Sequence, residues 1–572
     1  MTPIENFRRE PPPPLPAHPI VIPTHRETTL SNGLSVVVVE DPRLPLVSYR
    51  LAFRAGSAYD PRDLPGLTDM LAGLLPEGTG VRTSREIADE VARIGASLNA
   101  GANSDYTIVA ASALAQFHKK ILSLLAEVVL QPSFPKNEVE LAKQNTKESL
   151  RQQRAQPSFL ATEMVSRVMF GDHPYSVVAP TPESIDRCTR DDFVSFHRFR
   201  FVPNNAVLIA VGDVTFDDTI ASLDELFGSW QRGDLLTNDF PTPPLRSRRT
   251  AYLIDRPGSA QSNIVIANTG ITRTDPDYFP LLLMHTILGA TASSRLFMNL
   301  REEKGYTYGA YTNLDARRTA GTIRATAEVR TPVTGDSLKE FFYELERIGE
   351  EAVSEKELKD AKSYLTGVFP IRLETQEGLI DQLVQIKMLD MPVDYLQTYR
   401  DKVQAVTIDE IQSVARKYVK PGEAALIVVG DGAAVIDQIK PYCENIETYN
   451  TAGKRKDFAF QSLAPTDAVG SWNLEIETPM GQTIPATLIV TSTQIGLEAR
   501  IVSQMGDAEI GPIHVENNAF QGKADVDMDG HSVPIEFSAR MAGESIEGMM
   551  NLQNSPPLPF SGTKSVVESA NS

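Results

Sequence analysis

Cysteine is nearly absent from this chain of 572 residues: Cys188 and Cys443 are the only two, and they stand far apart. No disulfide framework and no cysteine-based zinc site can be read from them. Histidine is also sparse, with eight residues: His18, His25, His118, His173, His197, His285, His514 and His531. No two of them are three to five positions apart. A helical zinc site needs two imidazoles one turn apart, facing one metal, so that geometry cannot be built here. His285, in an apolar helical stretch, reads as a hydrogen-bonded core residue. Basic charge is in deficit, with 55 Lys and Arg against 74 Asp and Glu, a net charge of −19. This opposes general binding to nucleic acid and docking on anionic lipid.

Other absences narrow the field further. No apolar run reaches the roughly 18 residues of a membrane helix, and the stretch 281–284 is soon interrupted. The first 25 residues carry Glu5, Arg8, Arg9, Glu10 and a run of prolines at 11–14, with no apolar core. That is not a secretory signal. As the sequence stands the expected compartment is the cytoplasm. A missing upstream signal would make the protein periplasmic or exported. No phosphate-binding Gly-Lys-Ser/Thr loop and no G-x-S-x-G elbow is present. Ser561 and Lys564 have S-x-x-K spacing, but matches this short are common by chance.

What is present is an ordinary globular composition, 41 % hydrophobic and 23 % charged. The length predicts three or four domains. Residues 1–25 read as an extended Pro-rich arm. Asn32-Gly33 predicts a hairpin between 28–30 and the apolar run 34–39. Thr83 with Glu86 makes a capping-box pattern that opens a helix carrying Ile87, Val91 and Ile94. Further helices are predicted over 117–129 and 137–153.

An internal repeat sets the architecture. Residues 189–214 and 407–432 align at a constant offset of 218 without a gap. Thr189/Thr407, Asp191/Asp409, Pro203/Pro421, Gly212/Gly430 and Asp213/Asp431 all match. Each copy reads as a capped helix, a Pro turn and a buried strand ending in Gly-Asp. This predicts two homologous α+β halves, 26–235 and 250–446, joined by a linker with Pro241, Pro243 and Pro244. Beyond Lys454 the texture changes to alternation, as in Trp472, Leu474 and Ile476. Asp529-Gly530 marks a hairpin. Residues 467–565 therefore read as an all-β, barrel-like module with no catalytic signature of its own.

The stretch P-G-L-T-D-M-L-A-G-L-L-P-E-G-T from Pro65, preceded by R-A-G-S-A-Y-D from Arg54, resembles the insulinase/pitrilysin family of zinc peptidases. Its shorter bacterial and processing-peptidase branch is nearest. The family carries an inverted zinc motif, H-x-x-E-H, on this helix. Asp69 and Gly73 stand at the two His positions and Ala72 at the general base. Only the distal ligand position keeps its residue type, at Glu148. Ala and Gly offer no donor, and two carboxylates are too few for a closed zinc site. No catalytic zinc is expected in this chain.

The second half continues the resemblance. I-L-G-A-T-A-S-S-R-L-F-M-N-L-R-E-E-K-G-Y-T-Y-G-A-Y from Ile287 is similar to the family's second-half signature, including Ser294-Arg295-Leu296. Its substrate-facing pair, an Arg and a Tyr seven residues apart, falls on Arg301 and Tyr308. Such a Tyr hydroxyl donates to the developing oxyanion, and an Arg holds carbonyls or a carboxylate. An Arg late in a helix and a Tyr entering a strand are also ordinary structural choices.

The resemblance implies two clamshell halves, each a mostly antiparallel sheet covered by helices. It implies the zinc-free subunit of a heterodimeric peptidase acting on peptides or unfolded polypeptides. A homologous partner with an intact motif would supply zinc, and this chain alone would be inactive. The alternative is a non-catalytic scaffold or peptide-binding subunit of a larger complex. The segment 289–294 is short, with one glycine. It does not match the long Gly-rich loop of the zinc-free processing-peptidase subunit, which argues against presequence processing.

Overall fold

The computed structural model describes residues 23–235, 239–456, 468–478, 483–493, 496–504, 506–516, 519–528, 531–542, 545–552 and 558–565. The expected arm lies outside them except for its last three residues. The strand that follows begins at His25.

The first sheet contains β1 (His25–Thr29), β2 (Ser35–Glu40), β3 (Leu46–Phe53), β4 (Ser97–Ala102), β5 (Thr107–Leu114) and β6 (Ala206–Gly212). Their order is β1-β2-β6-β3-β5-β4. β1 and β2 form the expected antiparallel hairpin, with Gly33 at φ +91° in its turn. The second sheet contains β7 (Thr250–Asp255), β8 (Gln261–Thr269), β9 (Thr307–Ala316), β10 (Gly321–Arg330), β11 (Ala425–Gly430), β12 (Ile446–Tyr449) and β13 (Arg455–Lys456). Its order is β13-β12-β7-β11-β8-β10-β9. Five strands of each sheet correspond, β2-β6-β3-β5-β4 with β7-β11-β8-β10-β9. β2 and β6 pair in parallel, as do β7 and β11. β6-β3-β5-β4 and β11-β8-β10-β9 are antiparallel runs.

The repeat is visible residue by residue. Thr189 and Thr407 each close a capping box, on helices Arg190–Arg200 and Ile408–Tyr418. Single 3₁₀ turns, Pro203–Asn205 and Pro421–Glu423, then lead into β6 and β11. Every residue of both strands is buried. That explains their unbroken apolar run, because both faces of each sheet are covered.

Part of the cover is exchanged between the halves. Helix Pro157–Phe170 of the first half lies on β8 and β11, where Leu160, Met164 and Val165 meet Val265, Ile427 and Val429. Helix Gln376–Met388 of the second half lies on β3 and β6, where Leu379 and Leu383 join Ala52, Val207 and Ile209. Burying each such Leu or Val stabilises by roughly 1.5–3 kcal/mol. Polar contacts fix the second helix. Arg50 pairs with Glu377 and lies 3.5 Å from Asp381, and Arg54 Nη1 donates to Asp390 Oδ2 at 2.8 Å.

Eight strands from Gly470–Glu477 to Leu558–Lys564 run up and down in sequence order and close into a barrel. Its interior is filled by Trp472, Leu474, Leu488, Phe537 and Phe560 among others. Asp529-Gly530 lies outside the described residues, and the strands on either side, Ala519–Met528 and His531–Ala542, pair antiparallel. Arg540, buried, anchors the barrel to the second half. Its Nη1 donates to Asp255 at 2.8 Å and its Nη2 pairs with Asp431. The expected fold class, two sheet-and-helix halves and a β barrel, is the observed one.

One run departs from the sequence expectation. Tyr278–Glu303, 26 residues containing an 18-residue window of mean hydropathy 1.3, is long and apolar enough to cross a bilayer. It is instead packed in the second half, with Leu281, Met284, Leu288 and Leu300 fully buried.

Candidate functional site

Helix Leu67–Leu74 carries the three degenerate motif positions. Gly66, at φ +91°, turns the chain into it, and Asp60 accepts the N–H groups of Gly66 (2.8 Å) and Thr68 (3.0 Å). The carboxylate thus satisfies two donors at the helix start. Leu67, Leu71 and Leu74 face the core and leave Asp69 accessible on the other side. Asp69 opens into a cavity of about 260 Å³ shared with Asp60, Arg62 and His173. Protein surrounds it closely enough that desolvation raises its carboxyl to about 6, despite that solvent access. Asp60 is raised to about 7, mainly by burial and only partly offset by its hydrogen bonds.

Ala72 is fully buried and has no donor. At Gly73 an added Cβ would meet nothing within 4 Å, so space for a side chain exists but no ligand does. Glu148, on helix Lys136–Arg154, is exposed and lies 3.4 Å from Arg151. The nearby His173 is held neutral, lowered to about 4 by burial and then by the Arg317 charge. Its Nδ1 accepts the Tyr175 N–H at 3.1 Å, which leaves Nε2 to face Thr319 at 3.1 Å. Among the described residues no three His, Cys, Asp or Glu gather as a ligand set. The donors present do not fit a zinc ion.

Arg301 and Tyr308 lie in the second half, on either side of a sharp turn. Ser294-Arg295-Leu296 fixes the approach. Buried Arg295 forks onto Glu357, Nε to Oε1 at 2.7 Å and Nη2 to Oε2 at 3.2 Å. Burial would raise Glu357, but the Arg295 and Ser354 hydrogen bonds outweigh it and bring the carboxyl to about 2. The helix then runs to Glu303, and Gly305, at φ +65°, reverses the chain into β9. Arg301 is exposed, its guanidinium 4.7 Å from the Phe297 ring centre. Tyr308 is 89 % exposed.

Tyr308 also sits in a β-bulge. Ala310 pairs with Ala327 and Thr307 with Val329, so Tyr308 and Gly309 together oppose one residue of β10. The Thr307 hydroxyl pins this bulge, accepting from Gly309 N–H (3.1 Å) and donating to the Glu328 carbonyl (2.6 Å). Bulges re-aim side chains at sheet edges, and β9 is an edge strand. A glycine interrupting a strand pattern is the sequence signal for it. His285 behaves as expected of a core residue. Burial lowers it to about 4, and Nδ1 meets Thr312 Oγ1 at 2.6 Å.

A second concavity was not legible in the sequence. Between helix Tyr278–His285, β9 and helices Glu355–Leu373, Gln376–Met388 and Tyr395–Ala405 lies a cavity of about 580 Å³. Arginines and tyrosines scattered over some 130 positions come together there, and no local spacing announces them.

Comparison with known proteins gives consistent results. Residues 35–181 match the family model described as insulinase (peptidase family M16), and residues 187–365 match the one described as peptidase M16 inactive domain. A Mycobacterium leprae protein named an uncharacterized zinc protease is 26 % identical over 407 residues, 70 % of this chain and 91 % of that protein. A Helicobacter pylori protein named non-peptidase homolog YmxG is 23 % identical, over 71 % of this chain and 94 % of its own length. The crystal structure of a peptidase M16 inactive domain from Pseudomonas fluorescens superposes with a TM-score of 0.67 at 26 % identity, covering 71 % of this chain and 98 % of that one.

Proposed function

Because the chain belongs to the insulinase family of M16 peptidases, we propose that it is the zinc-free subunit of a heterodimeric peptidase acting on peptides or unfolded polypeptides. The homologous partner carries the intact inverted motif, the zinc and the general base. This chain supplies Arg301 and Tyr308. One observation carries the reading: Tyr308 stands 89 % exposed on a bulge at a sheet edge, and its hydroxyl has no hydrogen-bond partner among the described residues. An aromatic held out of the core in this way contributes little to folding. It is placed to meet something outside the chain.

In the assembled site the Tyr308 hydroxyl donates to the oxyanion that develops on the scissile carbonyl. The Arg301 fork holds the neighbouring substrate backbone or carboxylate. A preplaced donor of this kind is worth roughly 10²–10³ in kcat. The test is Tyr308→Phe in the complex co-purified from the native cell. Turnover should fall about a hundredfold while the complex stays assembled. Cleavage at the wild-type rate would remove the assigned role.

A second reading follows from the relative named a non-peptidase homolog. On that reading the chain binds peptide or scaffolds a larger complex without chemistry. A co-purified assembly that holds no zinc-motif homologue and cleaves no peptide would favour it.

A further inference from the structure

The 580 Å³ cavity of the second half combines ligand-sized volume with charge of one sign. Its volume lies within the range of small-ligand sites. Two cations line it, Arg273 and Arg372, and no Asp or Glu does. In a chain of net charge −19 that local balance is contrary to the average.

Neither guanidinium has a carboxylate within 4 Å among the described residues. The two acids closest in sequence are occupied or remote. Asp275 accepts the N–H of Asp277 at 2.8 Å and lines a neighbouring cavity, not this one. Glu374 lines neither cavity.

Arg273 is preplaced. Its Nη2 donates to the Tyr395 hydroxyl at 2.7 Å, and its plane lies 3.8 Å from the centre of the Tyr278 ring. Its Nη1 is buried and has no hydrogen-bond partner among the described residues. A buried guanidinium N–H without an acceptor is costly, so such a group points to an acceptor that arrives from outside. Arg372 is exposed and lines the same cavity, and its charge reaches Tyr278, Tyr395 and Tyr399. Burial holds these phenols protonated, with Tyr278 raised to about 12. They can therefore donate hydrogen bonds. Phe369 and Tyr399 stack at 4.0 Å and give the cavity an aromatic floor.

We infer that this cavity is a binding site for a carboxylate borne on a peptide, held between Arg273 and Arg372 with its adjoining side chain against the aromatic floor. Guanidinium forks match carboxylate geometry, and phenol hydroxyls complete the acceptor's shell. The carboxylate comes either from the peptide C-terminus or from an Asp or Glu side chain. Tyr311 joins the cavity to the Arg301 region, because its ring lies 5.6 Å from Phe297, which in turn carries the Arg301 guanidinium. The site is complete within this chain and does not depend on the proposed partnership.

The test is calorimetric titration of the full-length chain, alone, with three N-acetylated peptides. Two share one sequence without Asp or Glu and end in a free acid or an amide, and the third is the amide with one internal residue replaced by Glu. Binding of the free acid or of the Glu peptide, at least tenfold tighter than the plain amide, identifies the source of the carboxylate. Arg372→Gln should abolish that preference while leaving Tm within about 2 °C, since Arg372 is exposed and holds no ion pair among the described residues. Equal affinity for all three peptides overturns the inference. So does an acid preference that survives both Arg372→Gln and, in a variant shown to be folded by circular dichroism, Arg273→Gln.

Discussion

At the scale of single residues, the degenerate motif is a change of chemistry on an intact frame. The helix that would carry zinc ligands is capped, packed and oriented, but Ala72 and Gly73 hold nothing that can coordinate or accept a proton. Asp69 keeps a carboxylate there, raised to about 6 by its surroundings. A carboxyl raised in the folded state binds its proton more tightly folded than unfolded. Its stabilising contribution is full below about pH 4 and is lost as pH rises through about 6. Asp69→Asn should therefore stabilise the protein at pH 8, by about 1 kcal/mol once its solvent access is allowed for, and change nothing at pH 4. Thermal melts at the two pH values decide this. An equal shift at both would show that the raised carboxyl is not the cause. That Ala72 and Gly73 offer no side-chain donor was legible in the sequence, because it is a matter of residue identity. The bulge that aims Tyr308 was not read, although Gly309 is its signal, because a register shift is a property of two strands.

At the scale of elements, the repeat shows how one pattern was used twice with different endings. Asp213 and Asp431 match in sequence, yet Asp213 is exposed while Asp431 accepts the N–H of Gly258 at 2.9 Å and holds Arg540 of the barrel. Asp255 takes the other side of that arginine and also accepts the Gly432 N–H at 2.9 Å. Removing a buried partner leaves charges uncompensated, at a cost of about 3–5 kcal/mol. Arg540→Ala should release the barrel, so that calorimetry shows its unfolding as a separate, earlier transition. An unchanged single transition would mean that the contact does not hold the barrel. The strands of both repeat copies were legible because Thr cap, Pro turn and Gly-Asp ending each have a local cause. The exchange of helices 157–170 and 376–388 was not, since a helix that is apolar on several faces does not say which sheet it will cover.

At the scale of the whole molecule, that exchange packs the two halves against each other, as one cooperative unit would require. Each sheet has a face completed only by the other half, and the Arg50–Glu377 and Arg54–Asp390 pairs cross the boundary. Native-state hydrogen exchange should show β6 and β11 opening with the same free energy. A difference of more than about 2 kcal/mol would mean that the halves unfold independently. On the proposed reading such a body is one wall of a site, with Arg301 and Tyr308 on it and the zinc ligands on the partner. The most direct measurement is cleavage of an unfolded polypeptide by the pure chain with zinc added, and then by the complex co-purified from the native cell. The account predicts no cleavage and no stoichiometric zinc for the pure chain, and zinc-dependent cleavage by the complex. Zinc-dependent cleavage by the pure chain would contradict it.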